Sequence, residues 1–206
     1  MIGIIGGTFD PIHFGHLRPA LEIAENIKLD EVRFIPSATP PHRWQPEATG
    51  QQRLDMVALA IKDADKLVLD DREYQRKGAS YTVDTLQSIR DEIGEDKALC
   101  MILGMDAFKS FTQWHEWQKI LTLCHIVISS RPNYDDSEID TWMKDRVVKD
   151  SALLSKLPAG KLYFSKVIQL DISATFIREQ IKTGSSPRYL TPADVVEYLD
   201  KHSLYQ

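Results

Sequence analysis

A chain of 206 residues, 43% hydrophobic and 27% charged, can bury a substantial core and reads as one domain over 1–206. Its net charge of −5 excludes the broad basic surface of a nucleic-acid-binding protein, so a polyanion site must be built from a few local cations. Ile2–Ile5 reads as a core strand and not a signal peptide, no apolar run reaches membrane-spanning length, and Cys100 and Cys124 sit in apolar runs without metal-ligand spacing. The expectation is a cytoplasmic protein with buried thiols, no membrane contact and no disulfide framework.

Residues 2–16, IGIIGGTFDPIHFGH, pass from an apolar run through Gly6-Gly7 to His13 and His16. Helical apolar spacing follows at Leu17, Ala20, Leu21, Ala24 and Ile27. This reads as strand, glycine turn and helix start, a junction that aims backbone N–H groups and a helix N-terminus at one point and attracts phosphate. Gly6 and Gly7 allow a sharp turn and a close ligand approach. Thr8 adds a hydroxyl. His13 and His16, three apart, can share one face, donate to phosphate oxygens and take up part of their charge. Pro19 puts the helix start near Gly15 to Leu17. Taken alone, either histidine is best read as a surface residue. Together with Gly-Gly-Thr they read as a phosphate cradle, one without the Walker lysine or G-x-G-x-x-G.

Val32–Pro36 is the next expected strand, followed by the proline-rich loop SATPPHRWQPEATG. Apolar spacing at 54, 57, 58 and 61 makes 51–64 a helix. Leu67–Leu69 is a third strand, 70–80 a charged loop, and 81–93 a helix with Val83, Leu86, Ile89 and Ile93 inward. Residues 98–103 (ALCMIL) form a buried strand ending at Gly104, with a helix near 116–123 and a fifth strand at 126–129. The alternation implies an α/β fold, a doubly wound parallel sheet of Rossmann-like type. Ligands in such sheets sit beyond the carboxyl ends of the strands, where Gly6-Gly7, Pro40–Trp44, Gly104 and Ser130-Arg131 all fall. Residues 133–158 break the alternation and are expected to be a peripheral insertion, helical over roughly 137–149, with Ile139, Trp142 and Met143 on its apolar side. One or two short strands at 161–165 and 167–170 precede a small C-terminal helical part at 173–182 and 191–202, the latter opened by Thr191 as N-cap and Pro192 at N1.

LDISATFIREQI opens the first of those helices with Ser173 as N-cap and Thr175 and Arg178 in the next turns. A cation there opposes the helix dipole, which an anion would relieve; pairing with a carboxylate is the competing explanation. Three other stretches have plain structural explanations. Thr82 can be an N-cap and Asp84 a first-turn acid. Trp114 and Trp117 can be core, and Trp117 is expected to be, although an indole left partly open could stack on a flat ring. His42-Arg43 can be a solvated loop.

GGTFDPIHFGH resembles the signature of the nucleotidyltransferase superfamily that carries the HxGH motif, and ISATFIR resembles its second motif, Ile-Ser-x-Thr-x-x-Arg. With YTVDTL, WHEW and PPHR, the chain resembles the bacterial nicotinate-nucleotide adenylyltransferase family from Ile2 to about Tyr198. The resemblance implies that ATP and nicotinate mononucleotide become deamido-NAD and pyrophosphate, in NAD biosynthesis, by direct in-line attack without a covalent intermediate. It implies His13, His16 and Arg178 as catalytic, and Gly6, Gly7, Thr8, Phe9, Gly104, Asp106, Ser173 and Thr175 on ATP. It implies His42, Arg43, Tyr81, Thr82, Asp84 and Trp114 on nicotinate mononucleotide. There Thr82 and the amides near Val83 and Asp84 would hold the carboxylate, and Trp114 would stack on the pyridine. Mg²⁺ would bridge the triphosphate mainly through water and phosphate oxygens, with no protein metal site called for. Arg43 stands where the family often has lysine, exchanging a point charge for a planar fork. Phosphopantetheine adenylyltransferases, the nearest rival, are shorter and lack YTxDTL with WxxW. Cytidylyltransferases carry an Arg-Thr-x-Gly stretch before Ile-Ser-Thr that is absent here. A catalytically silent nucleotide sensor could have lost His13, His16 and Arg178. A homo-oligomer is left open.

Overall fold

Six strands, β1 (Ile2–Gly7), β2 (Glu31–Pro36), β3 (Leu67–Leu69), β4 (Leu99–Gly104), β5 (His125–Ser130) and β6 (Leu162–Lys166), form one sheet in the order β3-β2-β1-β4-β5-β6. Every neighbouring pair is parallel. The structure, a computed structural model, describes residues 1–39, 45–130 and 141–206. Seven helices are among them: α1 (Phe14–Asn26), α2 (Gly50–Ile61), α3 (Thr82–Ile93), α4 (Met105–Lys109), α5 (Trp117–Leu123), α6 (Ala174–Lys182) and α7 (Ala193–Lys201). The doubly wound parallel sheet with a helical C-terminal part is as the sequence predicts.

Strand side chains alternate between two cores, as the two-residue pleat requires. Val32, Phe34, Cys100 and Val127 face one, packed with Ile23 of α1, Val57 of α2 and Val195 of α7. Ile4, Leu99, Met101 and Ile126 face the other, against Leu86 of α3 and Ile120 of α5. Each fully buried aliphatic side chain contributes roughly 1.5–3 kcal/mol, which short helices such as α6 and α7 could not supply from propensity alone. Cys100 and Cys124 are free and buried, as expected. Among the described residues no helix is long and apolar enough to cross a membrane.

The helix starts depart from the sequence expectations in instructive ways. α1 begins at Phe14, ahead of Gly15–Leu17, and keeps Pro19 inside it, so the helix forgoes one backbone bond in its second turn. Tyr81, not Thr82, is the N-cap of α3. Pro192, not Thr191, precedes α7, because the buried Thr191 hydroxyl is used on the Ile12 carbonyl at 2.7 Å. α2 opens on a capping box, with Thr49 and Gln52 each accepting from the other's backbone. Of the stretch 133–158, residues 141–158 are described. They contain 3-10 turns at Thr141–Met143 and Ser151–Lys156, and no helix runs on to Lys149. Trp142 packs on Phe111 at 6.0 Å and Trp117 at 5.0 Å, which joins this stretch to the second core.

The sheet order sets the place for a ligand. From β1 the chain moves outward to β2 and β3, then returns to β4 on the other side of β1. The connections after β1 and β4 therefore diverge and leave a crevice above their carboxyl ends, the switch point of a doubly wound sheet.

Candidate active site

The junction after β1 is built differently from a simple glycine turn. The strand runs straight through Gly7, and the left-handed residue is Phe9, at φ +51°. Gly7 is needed for space: a Cβ there would lie 2.9 Å from the Phe9 ring. A Cβ on Gly6 would meet nothing within 4 Å, so that position is open to a ligand. Phe9 is buried and sets its ring edge against His16 at 5.1 Å.

His13 and His16 stack at 3.8 Å with 30° between their planes. Gly15 makes room for the stack, since a Cβ there would fall 2.8 Å from His13 Nδ1 and 3.1 Å from the Ile172 carbonyl. His13 is 4% exposed, and its Nδ1 has no hydrogen-bond partner among the described residues. Burial pulls its pKa from 6.5 to about 4. His13 is therefore a neutral imidazole near pH 7. The first turn of α1 also offers fewer free amides than expected. Phe14 N–H donates to the Leu190 carbonyl at 3.0 Å and His16 N–H to the His13 carbonyl at 2.9 Å.

The second motif meets the first through Arg178; Ser173, Thr175 and Arg178 are not among the residues lining the crevice at the switch point. Ser173 caps α6, its Oγ accepting from Phe176 N–H at 3.1 Å. Ser173 and Thr175 are exposed. Arg178 Nη1 donates to the Asp10 carbonyl at 2.8 Å, tying residues 168 apart in sequence. Its Nε donates to Glu47 at 3.0 Å, and Lys182 pairs with the same carboxylate at 2.9 Å. The carboxylate pairing weighed for Arg178 from the sequence is thus present, with Lys182 and Arg178 holding the Glu47 carboxyl below its ordinary range.

A cleft of about 580 Å³ lies at the switch point, lined by Gly15 and His16 of α1, Gly104 at the end of β4, Asp106 of α4, Ser129 of β5, and Leu170. It unites the first motif with the expected Gly104–Asp106 contact. Gly104 would meet nothing within 4 Å as alanine, and Asp106 is exposed. A second cleft of similar size, across Ser130, Tyr163 and Lys166 at the β5–β6 edge, contains none of the predicted residues.

The stretches expected on the second substrate gather at the start of α3. The Tyr81 ring lies 4.4 Å from His115, which brings the start of α3 against the Trp114 segment. Trp114 is half-buried on Phe111 at 5.7 Å. Thr39 and Ser80 exchange two hydrogen bonds, each 3.0 Å, so the chain entering 40–44 leaves from beside Tyr81. His42 and Arg43 themselves lie outside the described residues. The Asp84 amide, expected on a carboxylate, donates to the Tyr81 carbonyl at 3.1 Å. The amides of Thr82 and Val83 remain as the candidates, while the Asp84 side chain is exposed. Trp117, expected in the core, is half-buried and packs on Phe111 and Trp142.

Sequence reasoning missed Asp10, Tyr205 and Arg53. The buried Asp10 carboxylate accepts from Glu47 N–H at 2.9 Å, Ala48 N–H at 3.1 Å and Tyr205 O–H at 2.6 Å. The signal for Asp10 was present: an acid inside an anion-binding stretch is costly unless held elsewhere. No local signal pointed to Tyr205, whose partner is 195 residues away. Among the described residues no three His, Cys, Asp or Glu side chains gather in a way that could hold a metal ion.

Residues 4–180 match the cytidylyltransferase-like family. A Methylococcus capsulatus protein named "Probable nicotinate-nucleotide adenylyltransferase" is 47% identical over 100% of this chain and 99% of its own. One of the same name from Pseudomonas syringae is 46% identical over 100% of this chain and 93% of its own. A Plasmodium falciparum nicotinic acid mononucleotide adenylyltransferase complexed with NaAD superposes with a TM-score of 0.73 at 21% identity, covering 99% of this chain and 96% of that one; at that identity the likeness is one of fold.

Proposed function

We propose, for a chain that belongs to the cytidylyltransferase-like family, the adenylyl transfer named by its full-length relatives at 46–47% identity: ATP and nicotinate mononucleotide give nicotinate adenine dinucleotide and pyrophosphate. The observation that carries the reading is the Arg178 bond to the Asp10 carbonyl. It supports the reading by tying the first turns of α6 to the connection between β1 and α1.

The phosphate of the mononucleotide is already an anionic nucleophile near neutral pH. One of its oxygens attacks the α-phosphorus of ATP in line, the bond from that phosphorus to the β-phosphate's bridging oxygen breaks, and pyrophosphate departs with the electron pair. No covalent intermediate is needed; the protein positions the reactants and offsets the developing charge. His16 serves the α-phosphate. His13, as a neutral imidazole, donates a hydrogen bond on the β/γ side, where Arg178 supplies the charge after exchanging Glu47 for a phosphate oxygen. Ser173, Thr175 and the amides near Gly7, Thr8 and Phe9 add donors. Gly104 and Asp106 face the adenosine. Thr82, with the amides of Thr82 and Val83, holds the nicotinate carboxylate, and Trp114 stacks on the pyridine. His42, Arg43, Tyr81 and Asp84 complete that side. Mg²⁺ enters as part of the ATP substrate, its coordination filled by phosphate oxygens and water.

Replacing His16 by alanine is expected to lower kcat by roughly 10² to 10³, the effect of one lost transition-state donor. Steady-state kinetics returning a kcat within about twofold of wild type would remove His16 from this role.

A further inference from the structure

Arg53 is 2% exposed, deep under the two loops that leave β1 and β2. Its Nη1 donates to the Thr8 carbonyl at 2.8 Å and to the Ser37 carbonyl at 2.7 Å. Its Nε is buried without a partner among the described residues, and no ion pair there joins it to a carboxylate. The guanidinium lies 5.8 Å from the centre of the Tyr74 ring, whose hydroxyl also reaches the Ser37 carbonyl at 3.3 Å. A buried, unneutralised guanidinium is a costly way to fill a helix face that already carries Met56 and Val57. What it holds explains its presence better than what it packs against.

A planar trans peptide fixes its N–H opposite its carbonyl. Holding the Thr8 carbonyl inward therefore turns the Phe9 N–H outward, away from Arg53. The Ser37 peptide follows the same rule: its carbonyl meets Arg53, and the Ala38 N–H points away to Glu73 at 3.3 Å. The two carbonyls belong to the Gly7–Phe9 stretch and to the chain entering 40–44, the two loops that the proposed function puts against the substrates. Ser37 N–H also bonds the Gly7 carbonyl at 2.8 Å, which ties the two loops to each other directly.

We propose that Arg53 is a positioning residue, whose guanidinium clamps the loops after β1 and β2 together and aims the Phe9 amide at the triphosphate. The proposal rests on the reading of the site given above, but it can be read from ATP binding alone.

The molecule supplies its own control. Arg90 is 6% exposed and donates to the carbonyls of Leu123, Gly94, Lys97 and Pro158, all away from the cleft. Arg53→Lys and Arg90→Lys are compared for thermal stability and for ATP affinity by calorimetry, per folded molecule. Arg53→Lys is expected to weaken ATP roughly tenfold to a hundredfold, with Arg90→Lys within about twofold of wild type. ATP affinity unchanged in Arg53→Lys, or lowered equally in both variants, overturns the proposal. If Arg53→Lys does not fold, wild type labelled with ¹⁵N-phenylalanine decides: of seven phenylalanines, Phe9 should show the largest downfield amide shift on adding a non-hydrolysable ATP analogue, and a stationary Phe9 resonance refutes it. Wild type that binds ATP yet forms no dinucleotide would sink the reaction and leave this inference standing.

Discussion

His13 carries a thermodynamic signature of its burial. Its pKa in the folded protein is about 4 against an ordinary 6.5. Between those values the unfolded chain binds a proton that the folded one refuses, so this contribution to stability is whole above pH 6.5 and lost as pH falls toward 4. The loss approaches about 3 kcal/mol at the low end. Urea denaturation at pH 7 and pH 4.5 is therefore expected to show a steeper acid loss for wild type than for His13→Asn; parallel losses would mean that His13 is accessible to protons when folded. The sequence made His13 a candidate through its spacing from His16, but could not reveal its neutrality, which depends on Gly15 and the Ile172 segment closing over it. Asp10 and Arg53 are the same kind of case. Both are polar residues held largely by backbone groups of distant loops, and pattern reading sees side-chain types, not backbone partners. Tyr205 lies furthest from recovery: burial and the Asp10 carboxylate together push its phenol far up, through a contact that only the folded chain makes.

At the scale of elements, strands were the legible part. Runs such as ALCMIL fit buried strands in a sheet covered on both faces; the observed strands lie within two residues of the expected ones, and of the two short strands expected at 161–165 and 167–170 only the first forms. Helix starts were less legible because caps are chosen tertiarily: Thr191 is drawn off by the Ile12 carbonyl, and the Phe14 amide finds Leu190. The segment after β4 shows how two elements distant in sequence are brought together. The start of α3 and the Trp114 segment touch through Tyr81 and His115, although 32 residues separate Thr82 from Trp114 in the chain. Trp114→Ala is expected to raise KM for nicotinate mononucleotide by roughly tenfold, the worth of one stacked ring, and to leave ATP affinity nearly unchanged. Equal weakening of both substrates would make Trp114 a structural residue supported by Phe111.

At the scale of the molecule, the strand order does what no single motif can. It sets Gly15 and His16 after β1 beside Gly104 at the end of β4 and Asp106 of α4, while Arg178 of α6 ties back to the Asp10 carbonyl of the same β1–α1 connection. In an acidic chain of net charge −5, Lys109 lines that cleft, while Arg178 and Lys182 are paired with Glu47; on the proposed function such local cations attract a polyanion without a basic surface. The central claim is adenylyl transfer to the acid mononucleotide, selected by the amides at the start of α3. The measurement that tests it most directly is pyrophosphate release from MgATP with nicotinate mononucleotide, nicotinamide mononucleotide or phosphopantetheine as acceptor. The account predicts fast release with the first, much slower release with the second and none with the third. Equal rates with the first two would contradict the carboxylate pocket, and ATP binding without release for any acceptor would contradict the reaction itself.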